Sequence, residues 1–95
     1  MYSIEFTQTA EKQFEKLQTD IQIRIIRVFE RIKLRPFHFI KRKEGSPYFI
    51  LRVGDYRAVL DIRVENSVIF VIEVGHRKNI YDWFIVHISF FEISY

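Results

Sequence analysis

The 95-residue sequence predicts an α+β fold in which two N-terminal helices pack on one face of a small, antiparallel-rich sheet. Apolar residues recur at helical spacing through much of the first half of the chain. Three strand-like apolar runs joined by short turns follow in the second half. With a hydrophobic content of 48%, the chain can build one modest core. We therefore expect a single domain over residues 1–84 and an apolar tail over residues 85–95.

The first elements are expected to be a strand and two helices. YSIEF, residues 2–6, alternates as a half-buried strand does. Thr9 is expected to cap a short helix. The capping-box pattern TDIQ, beginning at Thr19, predicts a second helix that runs to about Arg35. Pro36 ends it, because the residue before a proline is pushed out of the helical region.

The second predicted helix carries three kinds of surface. Its core arc comprises Ile21, Ile25, Val28, Phe29 and Ile32. A basic stripe beside that arc comprises Arg24, Arg27, Arg31 and Arg35. Ile23 and Leu34 fall beyond the stripe, away from the core arc. They are either incidental surface apolar residues or a contact for a partner that covers them.

The second half of the chain predicts three consecutive strands after a basic loop, FIKRKEGSP. The strand-like runs are YFILRV, YRAVLDIRV and SVIFVIEVG. Gly54 and Asp55 form a connection short enough for a tight hairpin. Glu65 and Asn66 form the next turn, where asparagine tolerates a positive φ. Strands joined by hairpins are antiparallel, so the predicted order is β-α-α-β-β-β.

Charge is unevenly distributed along the chain. Residues 24–57 contain ten Lys or Arg and three acidic residues, a balance of +7, whereas the remainder has five bases and nine acids, a balance of −4. Such a basic block indicates a polyanionic partner such as nucleic acid. The alternative is a solvated helix face.

Several function classes find no support in the sequence. There is no cysteine, which excludes disulfides and thiolate chemistry. The three histidines have no partner at metal-ligand spacing, no Gly-rich phosphate loop opens a helix, and no hydroxyl triad is recognisable. We expect no metal and no cofactor. MYSIEF does not resemble a signal peptide and no run reaches the length of a membrane span, so a cytoplasmic protein without a membrane partner is expected.

Arginine and aromatic residues remain as candidates for chemistry. Arg57 follows the tight turn and points away from the side of the strand that carries Tyr56. Arg52 precedes the same turn, and Arg77 lies just after the last strand. Three guanidinium groups from adjacent strands would suit a phosphate, and Tyr81 offers a ring for stacking on a base. The alternative is that Arg57 and Arg77 pair with Asp55, Asp61 or Glu73 and hold the sheet edge.

The element order, the turn VGDYR (53–57) and GHRKNIY (75–81) together resemble the RelE/ParE toxin family of type II toxin–antitoxin modules. The likeness is greatest to the RelE-type messenger RNA interferases and covers residues 2–84. It implies the same fold, with a short C-terminal helix. It also implies a toxin that enters the ribosomal A site, cleaves the bound messenger RNA without a metal and so inhibits translation.

The resemblance also implies roles for individual residues. The catalytic residues would be Arg57 and Arg77, which hold the phosphate, and Tyr81, which stacks on or orients the nucleotide. The RNA-binding residues would be Lys41, Arg42, Lys43, Arg52, His76 and Lys78. Many relatives carry Lys or Arg at the position of Ile50, so the role of proton acceptor would pass to Lys43 or Arg52 here.

Partners follow from the same resemblance. A RelB-like antitoxin would silence the toxin, and the complex would bind its own operator DNA through the antitoxin. The antitoxin-binding residues would be Ile23, Arg27, Arg31 and Leu34. Two alternatives remain open: a ParE-like or decayed toxin that blocks a protein such as gyrase without cleaving RNA, and a nucleic-acid-binding domain without catalysis.

Overall fold

The computed structural model describes residues 1–38, 40–42 and 45–80, with the backbone alone at Lys41. The elements are strand β1 (Ser3–Phe6), helices α1 (Gln8–Glu15) and α2 (Thr19–Ile32), a 3-10 turn (Pro36–His38), and strands β2 (Ile40–Arg42), β3 (Phe49–Val53), β4 (Tyr56–Arg63) and β5 (Val68–His76). Residues 77–80 are helical, and any further part of the predicted C-terminal helix, like the tail at 85–95, lies outside the described residues. Within these ranges no helix is long and apolar enough to cross a membrane.

The five strands form one sheet in the order β1-β5-β4-β3-β2. The hairpins β2–β3, β3–β4 and β4–β5 are antiparallel, whereas β1 pairs with β5 in parallel. The predicted α+β class is confirmed, with a mixed sheet. Strand β2 lies in the segment predicted to be a basic loop. Its three residues are too few to show alternation, and charged side chains are typical of an exposed sheet edge.

The predicted helix starts are only partly right. Thr7, not Thr9, caps α1: its hydroxyl accepts a hydrogen bond from the Ala10 N–H at 3.2 Å. Helix α2 begins at Thr19 without a side-chain cap, and the predicted capping box does not form. Its Gln22 instead donates to the Phe14 carbonyl at 2.8 Å, so the glutamine ties α2 to the end of α1. Helix α2 ends at Ile32, three residues before the predicted end.

The two predicted turns have different outcomes. Gly54 and Asp55 form the tight β3–β4 hairpin as predicted, with a φ of 60° at Gly54 that favours glycine. In the β4–β5 turn, Ser67 takes the positive φ, at 55°. The prediction that Asn66 would take it is wrong.

The main core lies between the helices and one face of the sheet. Helix α2 contributes Ile25, Phe29 and Ile32, all buried, with Ile21 and Val28 half-buried beside them, which confirms the predicted core arc. The sheet contributes mainly Leu51, Ala58, Leu60, Ile69, Val71 and Val74. A smaller apolar cluster on the opposite face comprises Val59 and Ile80, with Tyr48, Ile50 and Ile72 packed against them.

A β-bulge at Ile72 separates two parts of strand β5. Before the bulge, β5 pairs with β1; the last backbone bond runs from Thr7 N–H to the Val71 carbonyl at 3.0 Å. After the bulge, the Gln13 side chain of α1 takes over the edge. Its carbonyl accepts from the Val74 N–H at 2.9 Å and its amide donates to the Glu73 carboxylate at 3.2 Å. Helix α1 therefore fixes the part of β5 that leads into the candidate site.

Candidate functional site

Two arginines stand directly opposite each other where strands β3 and β4 meet the hairpin turn. Arg52 pairs with Arg57, and Arg57 pairs on its other side with Gly75 of β5. Cβ atoms of directly opposed residues lie about 4.5–5.5 Å apart, and like charges in such positions destabilise a sheet. The pair is therefore a cost to folding that an anionic ligand would offset.

Arg57 is buried, with 4% of its surface exposed. Its Nη1 donates to the carbonyls of Gly54 and Tyr56, each at 2.8 Å. It forms no ion pair with any carboxylate of the described residues, and Asp61, one of the predicted alternatives, pairs with Arg63 at 3.0 Å instead. The hydrogen bond from Arg63 to this carboxylate raises the pKa of the Arg63 guanidinium. Carbonyl oxygens orient the Arg57 guanidinium, and none of the described carboxylates compensates its charge.

Arg77 joins the same turn through its backbone. Its N–H donates to the Asp55 carbonyl at 2.8 Å, which fixes the chain as it leaves β5, and its side chain is exposed. No carboxylate of the described residues pairs with it. We call Arg52, Arg57 and Arg77 the arginine cluster. The structure thus brings the three predicted guanidinium positions to one end of the sheet.

Ile50 belongs to the smaller apolar cluster on the same face. It pairs with Val59 of β4, and that cluster also contains Ile80 from the helical residues 77–80. A Cβ at Gly75 would lie 3.8 Å from the Ile80 Cδ1, so the helical turn packs close to the residue opposite Arg57. The position at which the resemblance implies a base is therefore part of an apolar contact here.

Other predicted RNA-binding residues are divided between the two faces. His76 is opposite Tyr56, and their rings meet edge to face at 5.5 Å on the side of the sheet that carries the helices. Arg42 is opposite Phe49, which packs against the same main core, so Arg42 also lies on that side. The structure does not bring these two residues to the arginine cluster.

The remaining predicted site residues are Lys41, Lys43, Lys78 and Tyr81. Lys41 occupies the β2 position opposite Ile50. Lys78 is exposed beside Arg77, and its N–H donates to His76 Nδ1 at 3.3 Å. Lys43 and Tyr81 lie outside the described residues. Among the described side chains, no group of three or more histidines and carboxylates is arranged to hold a metal ion.

The predicted antitoxin-binding residues lie on the outer side of α2 and just beyond its end. Ile23 is 47% exposed and Leu34 65% exposed, as their position off the core arc predicts. Arg27 and Arg31 are exposed beside them. Ile26, which sequence reasoning missed, is 41% exposed and lies one turn from Ile23. Its spacing of three residues from Ile23 places the two side chains next to each other on the helix surface, and this spacing could have indicated it from the sequence.

A family comparison agrees with this geometry. Residues 4–81 match the model of the ParE toxin of the type II toxin–antitoxin system, parDE. The chain belongs to this toxin family. The chain is therefore a type II toxin by family, of the RelE/ParE fold. A search of the curated proteins gives no match.

Solved structures of RelE toxins share the fold. The RelBE2 toxin–antitoxin complex of Mycobacterium tuberculosis is 28% identical over 79% of this chain and 96% of the other, with a TM-score of 0.72. The RelB–RelE complex of Methanococcus jannaschii is 29% identical over 84% and 98%, with a TM-score of 0.68. The intact E. coli RelBE complex is 25% identical over 80% and 96%, with a TM-score of 0.70.

Proposed function

We propose that this toxin is a RelE-type endoribonuclease that cleaves messenger RNA in the ribosomal A site and so inhibits translation. The main support for the proposal is the environment of Arg57. Its buried guanidinium is oriented by two carbonyls and lies opposite a second arginine, and it has no carboxylate partner among the described residues. Buried charges are normally paired, so an uncompensated one at the edge of an arginine cluster indicates an anionic ligand. A phosphodiester fits the planar fork of a guanidinium.

The reaction asks little of the protein beyond charge stabilisation and proton handling. The RNA 2′-hydroxyl attacks the adjacent phosphorus, and the bond from phosphorus to the 5′-oxygen of the next nucleotide breaks. Negative charge grows on the phosphate oxygens during this step, and preoriented cationic donors stabilise it. Arg57 and Arg77 hold the phosphate, and Arg77, whose side chain is exposed, assists the leaving oxygen. Tyr81 stacks on or orients the nucleotide.

The proton of the attacking hydroxyl needs an acceptor. Ile50 cannot serve, and a guanidinium such as Arg52 is a poor base because it keeps its proton at physiological pH. Lys43, which lies outside the described residues, is the candidate, since an amine can act as a general base where a guanidinium cannot. A chain that lacks the usual base would cleave slowly, because loss of a general base costs about 10²–10⁴-fold.

We also propose a RelB-like antitoxin as the partner. Several of the similar toxins were solved as complexes with RelB. The outer side of α2 and the residues just beyond its end, with exposed Ile23 and Leu34 beside Arg27 and Arg31, suit an amphipathic acidic segment that folds as it binds. In this proposal the antitoxin carries the operator-binding function of the complex.

A second candidate function has its own support. Ile50 in an apolar contact and Arg57 bonded to the hairpin carbonyls suit a ParE-like toxin that blocks a protein target, such as gyrase, without cutting RNA. In that case the arginine cluster would be a structural or protein-binding feature.

Primer extension on cellular messenger RNA after brief expression separates the two functions. The RNase proposal predicts new cleavage ends that disappear in an Arg77→Ala variant expressed to the same level. Growth inhibition without cleavage ends, with DNA damage in its place, would reject the RNase and favour the ParE-like toxin.

A further inference from the structure

Arg24 of helix α2 lies against the β3–β4 hairpin turn. A Cβ placed on Gly54 would be 2.7 Å from Arg24 Nη2 and 3.4 Å from its Cζ, so the guanidinium occupies the space that a side chain at Gly54 would need. The φ of 60° favours glycine at this position, and the end of the Arg24 side chain packs over it. Arg24 is exposed and makes no hydrogen bond or ion pair with the other described residues.

The same two-residue turn contacts the arginine cluster from its other side. The Gly54 carbonyl accepts from Arg57, and the Asp55 carbonyl accepts from the backbone of Arg77. Arg24 belongs to the helix side of the sheet, whereas Arg57 points to the opposite side. The turn is therefore a narrow ridge with guanidinium groups on both sides.

We propose that Arg24 binds a phosphate of the RNA backbone next to the one held by the arginine cluster, so that the strand crosses the hairpin turn from the sheet face to α2. This inference rests on the proposed RNA function and extends it with a second binding position. The stripe on α2 continues the path, since Arg27 and Arg31 are exposed along the same helix. Successive basic groups along a surface are how proteins track a nucleic-acid backbone.

Phosphate is the ligand class that the surroundings of Arg24 favour. In a structural role, Arg24 would have a carboxylate or carbonyl partner, and none of the described residues supplies one. The neighbouring charges along the stripe are also positive, which repels a cationic ligand and attracts a polyanion.

Binding of fluorescent RNA by the full chain tests the proposal. The probe is a 15-nucleotide single-stranded RNA with 2′-O-methyl groups, which removes the attacking hydroxyl and prevents cleavage. A parallel assay measures binding to ribosomes programmed with messenger RNA. Arg24→Gln should weaken binding about 3- to 10-fold and reduce the slope of log K against log salt by about 0.7. Arg24→Lys, which keeps the charge, should recover most of the slope.

Arg63→Gln is the matched control, because Arg63 is an exposed arginine at the far end of β4 that already pairs with Asp61. It should leave both assays unchanged. Weaker binding of Arg24→Gln to the free RNA assigns the contact to the messenger strand, and weaker binding to ribosomes alone assigns it to ribosomal RNA. Unchanged binding in both assays, with the unaltered protein binding normally, overturns the role of Arg24. Absence of binding by the unaltered protein overturns the RNA function itself.

Discussion

At the residue scale, Arg57 shows how one side chain can serve both the fold and a ligand. Removing a guanidinium from water is costly unless hydrogen bonds replace the lost hydration. The carbonyls of Gly54 and Tyr56 supply them without cancelling the charge. The same bonds brace the hairpin, so Arg57 is oriented before any anion arrives, which is the condition for strong electrostatic stabilisation of a transition state.

This double role predicts different behaviour for two arginine variants. Arg77→Ala removes an exposed side chain, so cleavage should fall about 10²–10³-fold with an unchanged melting temperature. Arg57→Ala should lose a similar factor in cleavage and also about 1–3 kcal/mol of folding free energy, because two carbonyl bonds at the turn are lost. Primer extension and thermal melting measure the two effects. Full toxicity of either variant at matched expression would remove that arginine from the mechanism.

Ile50 gives a second prediction at this scale. Ile50→Lys introduces a base on the face that carries Arg57, and cleavage should rise about 10-fold or more if proton transfer limits the rate. The change should cost about 1 kcal/mol of stability, because Ile50 is half-buried against Val59 and Ile80 while a lysine can extend its amine to solvent.

Cleavage by purified protein on programmed ribosomes, with urea unfolding, is the measurement. Ile50→Met, which keeps an apolar side chain of similar size, is the control and should leave the rate unchanged. A folded Ile50→Lys variant no faster than the parent would show that the proton acceptor lies elsewhere. Loss of cleavage in Lys43→Ala would then locate it.

At the scale of the elements, α1 and α2 support the site in different ways. Helix α1 holds the end of β5 through Gln13, and α2 presents Arg24 to the hairpin on one side and Ile23 to solvent on another. Each helix uses its core face for stability and a second face for a separate contact. Changes on those second faces should therefore separate stability from function.

The first such change concerns Gln13. Gln13→Ala leaves the Val74 N–H without its acceptor at the sheet edge, which should cost about 1–2 kcal/mol. Urea unfolding measures the cost, and Gln8→Ala, an exposed glutamine of the same helix, should change stability little. An equal effect of both substitutions would mean that helix propensity, and not the edge contact, decides the result.

The second concerns antitoxin binding by α2. Ile23→Asp or Leu34→Asp should weaken antitoxin affinity about 10-fold or more, because a charge replaces an apolar contact beside basic residues, while cleavage by the free toxin persists. Val64→Asp is the control: Val64 is 58% exposed but belongs to the β4–β5 turn and not to α2. Isothermal titration calorimetry with the cognate antitoxin measures the affinity of each variant. Unchanged affinity for both α2 variants would move the interface elsewhere, most simply to the apolar tail.

At the scale of the whole molecule, the sequence predicted what periodicity and turn chemistry control. The core arc of α2, the Gly54 hairpin and the side of β4 on which Arg57 lies, opposite to Tyr56, follow from local patterns and are confirmed. Strand β2 and the contact between Arg24 and Gly54 could not be predicted. Strand β2 is too short to show alternation, and the contact between Arg24 and Gly54 joins two segments far apart in the chain, so neither leaves a periodic signal.

The capping box fails for a related reason. Gln22 has the right spacing for it, yet tertiary packing offers the Phe14 carbonyl at the end of α1 as a better partner. Local propensity is a weak prior when a second helix end lies within reach.

The basic and acidic residues are unevenly distributed along the sequence, and the fold places them at different edges of the molecule. The basic block, from Arg24 to Arg57, forms α2 and the β2–β3–β4 side of the sheet, whereas Glu5, Glu11 and Glu15 lie on β1 and α1 at the other edge. A molecule polarised in this way orients itself toward a polyanion before contact.

Binding of RNA should therefore depend on salt. If Arg24 neutralises one phosphate of a single strand and the arginine cluster neutralises a second, log K should fall with log salt at a slope of about −1.4, so a fourfold rise in salt should weaken binding about 7-fold. Fluorescence anisotropy with the 2′-O-methyl RNA measures the slope. Addition of the antitoxin should abolish binding if it covers Arg24 on α2. A slope near zero would mean that the basic block does not contact the RNA backbone, and the uneven charge would then belong to antitoxin recognition alone.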